Sequence, residues 1–444
     1  MVDRAALEEM SEDEVLDFAD ACDETARRAE VDLLRAAYQW AVLHSPERLD
    51  PVEAAKPGRE KARRLGGPGV PEVTEFAAAA LGARIGRSVW SARQLMADAL
   101  DLYHHHPQLW ERVQAGEVRA SYARHVVGKT RDLEPAEAAY VDAGVAESAD
   151  GRIPWSRFEA LVAAKVAQAA PELARQKEER ARQATFAKKL RGEEHGMASY
   201  LVRADVATIA AIEAGFADGA ARIGDRWPDD PDLATEDQRQ VRAVLMAATG
   251  ATVPDDQPDD QPDDETRAPE VADVADLLPE VQLHVHVYAG ADREEVVRVE
   301  GHGPVTETWL REVLGPRARF VVQPVLDLAG QSPVDAYEIP ERHRQAVHLM
   351  TPADTFPFAS CTSRDMQVDH TDPYVRGGRR GQSRVGNYGP MTTTHHRIKT
   401  HGSWQVRQPF PGIFVWRDPH GAFYVVDHTG TRRLPRDLAD PPAA

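Results

Sequence analysis

Residues 367–401 read QVDHTDPYVRGGRRGQSRVGNYGPMTTTHHRIKTH. An acid, Asp369, stands directly before His370, Asn387 follows in isolation, and His395 and His396 stand side by side. The stretch MQVDHTDPY reads as extended backbone that Pro373 ends, and Gly377, Gly378 and Gly381 loosen the loop behind it. NYGPM is short and able to pair back as a second strand. TTTHHRIKTH opens with threonines suited to an N-cap and reads as one short helix. The predicted order is strand, loop, strand, helix, with a carboxylate and imidazoles at the junctions, and such a hairpin and helix can hold one divalent ion between them.

These groups suit phosphodiester hydrolysis. A neutral imidazole takes a proton from water near pH 7 because its pKa lies there. One metal ion can hold a scissile phosphate and stabilise the departing oxygen. Asp supplies a hard anionic ligand and His a borderline one. An Asn amide can orient the loop carrying the base or give its oxygen to the ion. Arg376, Arg379, Arg380, Arg397 and Lys399 lie around the motif and can meet phosphates.

Charge is distributed in keeping with that chemistry. The chain as a whole carries −19, which argues against nucleic-acid binding by its entire surface. Residues 341–444 hold 14 Lys and Arg against 9 Asp and Glu, a net of +5, with 8 of the 17 histidines, leaving −24 on the rest. A basic, His-rich tail therefore follows an acidic body.

Working outward, 444 residues are too many for one core, so two or three domains are expected. Residues 1–250 read as helical. Ser11 with Glu14 has capping-box spacing, followed by Val15, Phe18, Ala19, Cys22 and Ala26 at helical intervals. His104–Pro107 reads as a polar turn between two helices, Gly116 as the end of the second, Pro171 as a stop, and Asp205 as a helix cap. The charged run 175–191 reads as a solvated helix face. Residues 251–278, with their Pro-Asp-Asp-Gln repeats, read as an acidic disordered linker. Residues 279–340 read as a small mixed α/β unit: an alternating strand in EVQLHVHVYAG, a helix in TETWLREVLG and a strand pair around RARFVVQPVLDLAG. His284 and His286 on that strand lack a third ligand and read as exposed positions. No apolar run is long enough to span a bilayer, and the acidic N-terminus does not read as a signal peptide, so a cytoplasmic protein is expected. Cys22 and Cys361 give neither a disulfide framework nor a Cys-x-x-Cys pair.

The order Asp-His…Asn…His-His-x-x-Lys resembles the HNH nuclease motif. The segments DHTDPYVRGG and GNYGPMTTTHHRIKTHGSWQVRQPFPGIFVWRDPHG, with the helical body before them, resemble a large bacterial family in which a helical domain of unknown function precedes an HNH segment. The resemblance implies a mainly α N-terminal domain, a small mixed α/β unit and a C-terminal ββα-metal (HNH) domain over residues 341–444. It implies His370 as general base, Asp369 and His396 as metal ligands and Asn387 as the central Asn; of the basic residues around the motif, Arg379, Arg380 and Lys399 are expected to bind phosphate rather than read bases. The implied cofactor is one divalent ion, Mg²⁺ or Mn²⁺, with Zn²⁺ as a further candidate. Many relatives carry a structural zinc held by four Cys or Cys/His residues. Here only Cys361 and His395 stand near such positions and Thr392 stands where a cysteine is common, so no structural zinc is expected. Packing of Trp404, Phe414, Trp416, Phe423 and Tyr424 is expected to stabilise the segment instead.

The leading expectation is a metal-dependent endonuclease acting on DNA, with RNA left open, no membrane partner, and the helical domain free to select substrate or bind proteins. The alternatives are a non-catalytic nucleic-acid or protein interaction module that keeps the HNH shape, and a helical scaffold or adaptor suggested by the acidic body.

Overall fold

The computed structural model describes residues 7–190, 197–250 and 330–435, with short pieces at 285–286, 296–299, 303–306, 308–310 and 328. The chain divides into two compact units, Met1–Ala174 with Gln323–Ala444, and Arg175–Val322. The described residues are mainly helical with small antiparallel sheets.

Helix α1, Glu12–Leu43, starts where the sequence predicts. Ser11 Oγ accepts from the Glu14 amide, and the Glu14 carboxylate accepts from the Ser11 amide at 2.7 Å, closing the capping box. Its burial differs from expectation. Val15, Ala19, Cys22 and Ala26 are exposed, and the face that packs is Val31, Leu34, Ala37 and Ala41 in the C-terminal half. Periodicity identifies a helix but does not say which turns meet a neighbour.

Strands β1 (Ala62–Arg64) and β2 (Glu72–Thr74) form a short antiparallel pair. Helices α2 (Ala77–Arg84), α3 (Val89–His105), α4 (Pro107–Gln114), α5 (Ala120–Thr130), α6 (Pro135–Val145) and α7 (Trp155–Ala169) complete this helical body. Gly82 lets the α2–α3 corner close, because a Cβ there would stand 2.8 Å from the Arg87 carbonyl oxygen. Gly116, at φ +76°, follows α4 as predicted.

The expected polar turn at His104–Pro107 is corrected: His105 and His106 are buried. α3 runs through His105, and α4 restarts at once because Pro107 needs no amide partner at the first helical position. The buried Asp142 carboxylate accepts from the Gln108 and Leu109 amides at 2.9 and 3.1 Å, so the cap comes from α6 and no solvent-facing turn is needed.

Helix α8, Pro171–Gln183, buries none of its residues, in keeping with a solvated charged face. In the second unit β3 (Phe186–Lys189) pairs antiparallel with β4 (Tyr200–Arg203), and α9 (Val206–Arg226) starts on the predicted Asp205 cap. α9 packs on α10 (Glu236–Thr249) around Ile223, Leu233, Ala243 and Met246. β5 (Val285–His286), β6 (Val296–Val299) and β7 (Gly303–Thr306) form a three-stranded antiparallel sheet. The linker predicted at 251–278 lies outside the described residues, as do His284, most of the predicted strand and helix at 281–288 and 306–315, and the strand pair around 317–330.

The C-terminal part of the first unit comprises α11 (Glu341–Met350), the hairpin β8 (Gln367–His370) and β9 (Tyr388–Met391), α12 (Thr393–His401), and an antiparallel meander β10 (Gln405–Phe410), β11 (Ile413–Arg417), β12 (Phe423–Asp427) and β13 (Gly430–Arg433). Strand, loop, strand and helix therefore fall in the predicted order. Trp404 and Trp416 are buried, as read from their apolar neighbours.

The core of this part is continuous with that of the helical body. Phe356, Met391, Ile398, Trp404, Phe414, Trp416 and Tyr424 share one cluster with residues of α1 to α7. Polar ties cross the same boundary. The Arg84 guanidinium donates to Asp418 Oδ2 at 3.0 Å, and Asp418 also accepts from the Tyr424 hydroxyl and the His420 and Ala422 amides. Burial alone would raise the Asp418 carboxyl, but these donors hold it below the usual carboxylate value. No helix among the described residues is long and apolar enough to cross a membrane.

Candidate active site

The site forms where β8, β9 and α12 meet. β8 and β9 are antiparallel, with Asp369 opposite Gly389 and His370 opposite Tyr388. Gly389 is needed there: a Cβ would stand 2.9 Å from Thr355 Oγ1 and 3.0 Å from the Phe414 ring. Thr392 caps α12 by accepting from the His395 amide, which places His396 and Lys399 on the helix face toward β8.

Asp369 and His370 contact different neighbours, as adjacent strand residues must. Asp369 Oδ2 lies 3.4 Å from His396 Nε2 and accepts from Lys399 Nζ at 2.6 Å. His396 Nδ1 lies 2.9 Å from Gln367 Oε1. An amide oxygen only accepts, so Nδ1 carries a proton, and the neutral form of the ring presents its Nε2 lone pair on the Asp369 side. In that form the imidazole and the carboxylate can share a cation, and Lys399 Nζ occupies that side of Asp369 Oδ2 here.

His370 is buried, with its ring among Tyr337, Tyr374 and Tyr388 at centroid distances of 5.8, 5.7 and 5.0 Å. Its Nε2 lies 2.9 Å from Ser383 Oγ. The Ser383 hydroxyl donates its single proton to the Ala336 carbonyl, so it can only accept from His370. Neutral His370 therefore carries its proton on Nε2 and keeps the Nδ1 lone pair for a proton from elsewhere. Burial lowers the His370 pKa; Asp369 opposes this and Lys399 adds to it. The ring is neutral at pH 7, the form a base requires.

Asn387 is buried and clips the loop. Its Oδ1 accepts from the Asp372 amide at 2.7 Å, and its Nδ2 donates to the Asp372 and Gln382 carbonyls at 3.1 and 3.0 Å. Of the two roles read for this amide, the geometry fits the positioning one.

The cations divide into three kinds. Arg379 and Arg380 are exposed on the loop after β8; Arg380 has only a 3.9 Å approach to Asp335. Arg376, Arg379 and Arg384 make no side-chain ion pair with any described residue. Lys399, read as a phosphate contact, is largely buried and donates to Asp369 and the His370 carbonyl. Arg397 turns away: it forms a two-pronged pair with Glu75 at 2.9 and 2.7 Å and donates to the Gly58 and Arg59 carbonyls.

Among the described residues, no group of three or more His, Cys, Asp or Glu side chains is arranged to hold a metal. Asp369 and His396 are two donors only. That set suits a hard ion that keeps several waters and takes further oxygens from substrate phosphates. Lys399 would have to give up Asp369 Oδ2 or share it.

Around Thr392 and His395 the chain has a carboxylate clip that the sequence did not reveal. Buried Asp354 accepts from His395 Nδ1 at 2.7 Å, the Thr392 amide at 2.8 Å and the Phe356 amide at 2.9 Å. His395 also stacks on Phe356 at 4.5 Å. Both oxygens of Asp354 accept hydrogen bonds in this clip. Sequence reasoning also missed Gln367, Ser383, Tyr337 and Glu75. Gln367 lies within the motif and was findable from its position on β8; the others are brought in by the fold. No family model, no curated protein and no solved structure matches this chain.

Proposed function

We propose that the chain is a metal-dependent endonuclease of the HNH, ββα-metal kind, hydrolysing phosphodiester bonds in DNA. The observation that carries this reading is the joint arrangement of two imidazoles on one hairpin and helix. His370 is held by Ser383 through Nε2, which leaves Nδ1 as the lone pair of its neutral ring, and His396 is held by Gln367 through Nδ1 with Nε2 3.4 Å from Asp369. One lone pair suits a proton, and the other, beside a carboxylate, suits a cation.

In this reading His370 Nδ1 takes the proton of the attacking water. The Nε2–H donated to Ser383 fixes the ring during transfer, and neighbouring Asp369 favours the imidazolium that results. Asn387 holds the loop from Asp372 to Gln382 against β9 and so fixes the entry side. Arg376, Arg379 and Arg384 draw the nucleic-acid backbone to that loop as point charges, without reading bases. Asp369 and His396 would hold the divalent ion, which when bound supplies charge to the phosphate and the leaving oxygen. The test is plasmid cleavage with Mg²⁺, with Mn²⁺ and with EDTA; cleavage that survives EDTA contradicts the reading.

A second reading rests on Lys399. Its ammonium already neutralises Asp369 from a largely buried position, as expected of an HNH-shaped scaffold that binds nucleic acid without cutting it. Calorimetry with Mn²⁺ separates the two, since the scaffold reading requires no binding.

A further inference from the structure

Beside His370 lies an exposed aromatic surface that neither a base nor a metal site needs. Tyr337 is 71% exposed, and its ring stands nearly parallel to His370, at 17° and 5.8 Å. Tyr374 meets it edge-on at 5.7 Å. Val375, the next residue, is 59% exposed. In residues 331–435 the exposed large apolar side chains are Tyr337, Val375 and Phe410, so two of the three gather beside the candidate base.

The segment carrying Tyr337 is pinned on both sides. Val334 bridges to Ser383, the Asp335 carboxylate accepts from the Gly381 amide at 2.5 Å, and the Ala336 carbonyl accepts from Ser383. The Tyr374 hydroxyl reaches the Asp335 carbonyl at 3.5 Å. An apolar ring is thus held in water by backbone contacts on a rim where Arg376, Arg379 and Arg384 are unpaired with any described residue. Aromatic faces interleaved with unpaired arginines suit a strand whose bases are splayed out of a duplex. In a duplex the base faces are covered by their neighbours and cannot reach such a ring.

We infer that Tyr337, backed by Tyr374, is a stacking platform for an unpaired base next to the scissile phosphate, so that the site takes single-stranded or locally unpaired nucleic acid. This rests on the nuclease reading for the phosphate, but not for the stacking. Stacking on a ring face is tolerant of base identity, because every base has a π-face.

The test uses the full chain and labelled oligonucleotides in EDTA, read by fluorescence anisotropy. The probes are a single strand, the same strand made wholly abasic, and the matching duplex. Tyr337→Ala is expected to weaken the single strand by roughly 5- to 150-fold, the cost of losing one stacked base. It should change the abasic strand and the duplex less than about twofold, and Tyr337→Phe should bind like the parent. Equal losses on all three probes, no loss on the single strand, or no single-strand binding by the parent would each overturn the platform. Cleavage of the same probes with Mg²⁺ separates the two ideas. Selective loss in anisotropy without cleavage by the parent keeps the platform and removes the nuclease. Cleavage with an unchanged Tyr337→Ala does the reverse.

Discussion

Replacing Glu75 by glutamine removes the charge that ties α12 to the helical body. In the parent, Glu75 accepts two parallel bonds from Arg397, and the two side chains are 10% and 26% exposed. Burial alone would raise the Glu75 carboxyl; the bonds from Arg397 reverse this and hold it below its ordinary value of 4.5. Charge-assisted bonds contribute about 1.5–3 kcal/mol each when buried. Glutamine keeps one acceptor, and the exposed quarter of Arg397 lets water compensate in part, so a loss of about 1–2 kcal/mol is expected at pH 7. At about 2–4 °C per kcal/mol, the melting temperature should fall by about 2–8 °C. The sign with pH follows from the lowered carboxyl. Its contribution is complete above pH 4.5 and disappears as pH falls through the folded value. Parent and variant should therefore converge in acid. Thermal melts followed by circular dichroism over a pH series read both quantities. A variant that melts with the parent at pH 7, or a gap that persists undiminished in acid, would refute the reasoning.

Three further outcomes are expected. Ser383→Ala frees the His370 ring and should slow cleavage by about tenfold, the equivalent of about 1.4 kcal/mol, with Mn²⁺ affinity in calorimetry unchanged; an equal loss of metal affinity would contradict the tautomer argument. Asp354→Ala strands three donors and should cost about 3–5 kcal/mol in denaturant melts, whereas EDTA should leave the parent's melting temperature where it was, because the clip uses no zinc. Burial lowers His106 to about 3, so the folded state resists the proton that the unfolded chain takes up below 6.5, and stability falls by up to about 5 kcal/mol as pH drops from 6.5 toward 3. His106→Gln should reduce proton uptake on unfolding by about one across that interval, read from the pH dependence of denaturant stability.

The local part of this structure was legible because its cues are local. Pro373, the Gly-rich loop, NYGPM and the Thr392 cap mark strand, loop, strand and helix within 35 residues. The Ser11–Glu14 capping box and the Asp205 cap needed no tertiary information either. What the sequence hid is set by distance along the chain. Arg397 looked like a phosphate contact because Glu75, its partner, lies 322 residues away. Asp354 stands 41 residues before His395, and Ser383 acts on His370 only because residues 334–336 cross over the loop. Lys399 was read as a phosphate contact because helical spacing does not say that Asp369 lies beside it. His105 and His106 looked like a polar turn because the cap that replaces solvent, Asp142, comes from another helix.

The central claim assigns one imidazole to a proton and another, with a carboxylate, to an ion. The most direct test is the rate of plasmid cleavage against Mn²⁺ concentration for the parent, His370→Ala and Asp369→Ala. The account predicts that His370→Ala lowers the maximal rate by roughly 10²–10⁴ at an unchanged half-saturating metal concentration. Asp369→Ala should shift that concentration upward and be partly rescued by added metal. Loss of metal dependence in His370→Ala with retention in Asp369→Ala would reverse the roles, and parent-like cleavage by both variants would place the active site elsewhere.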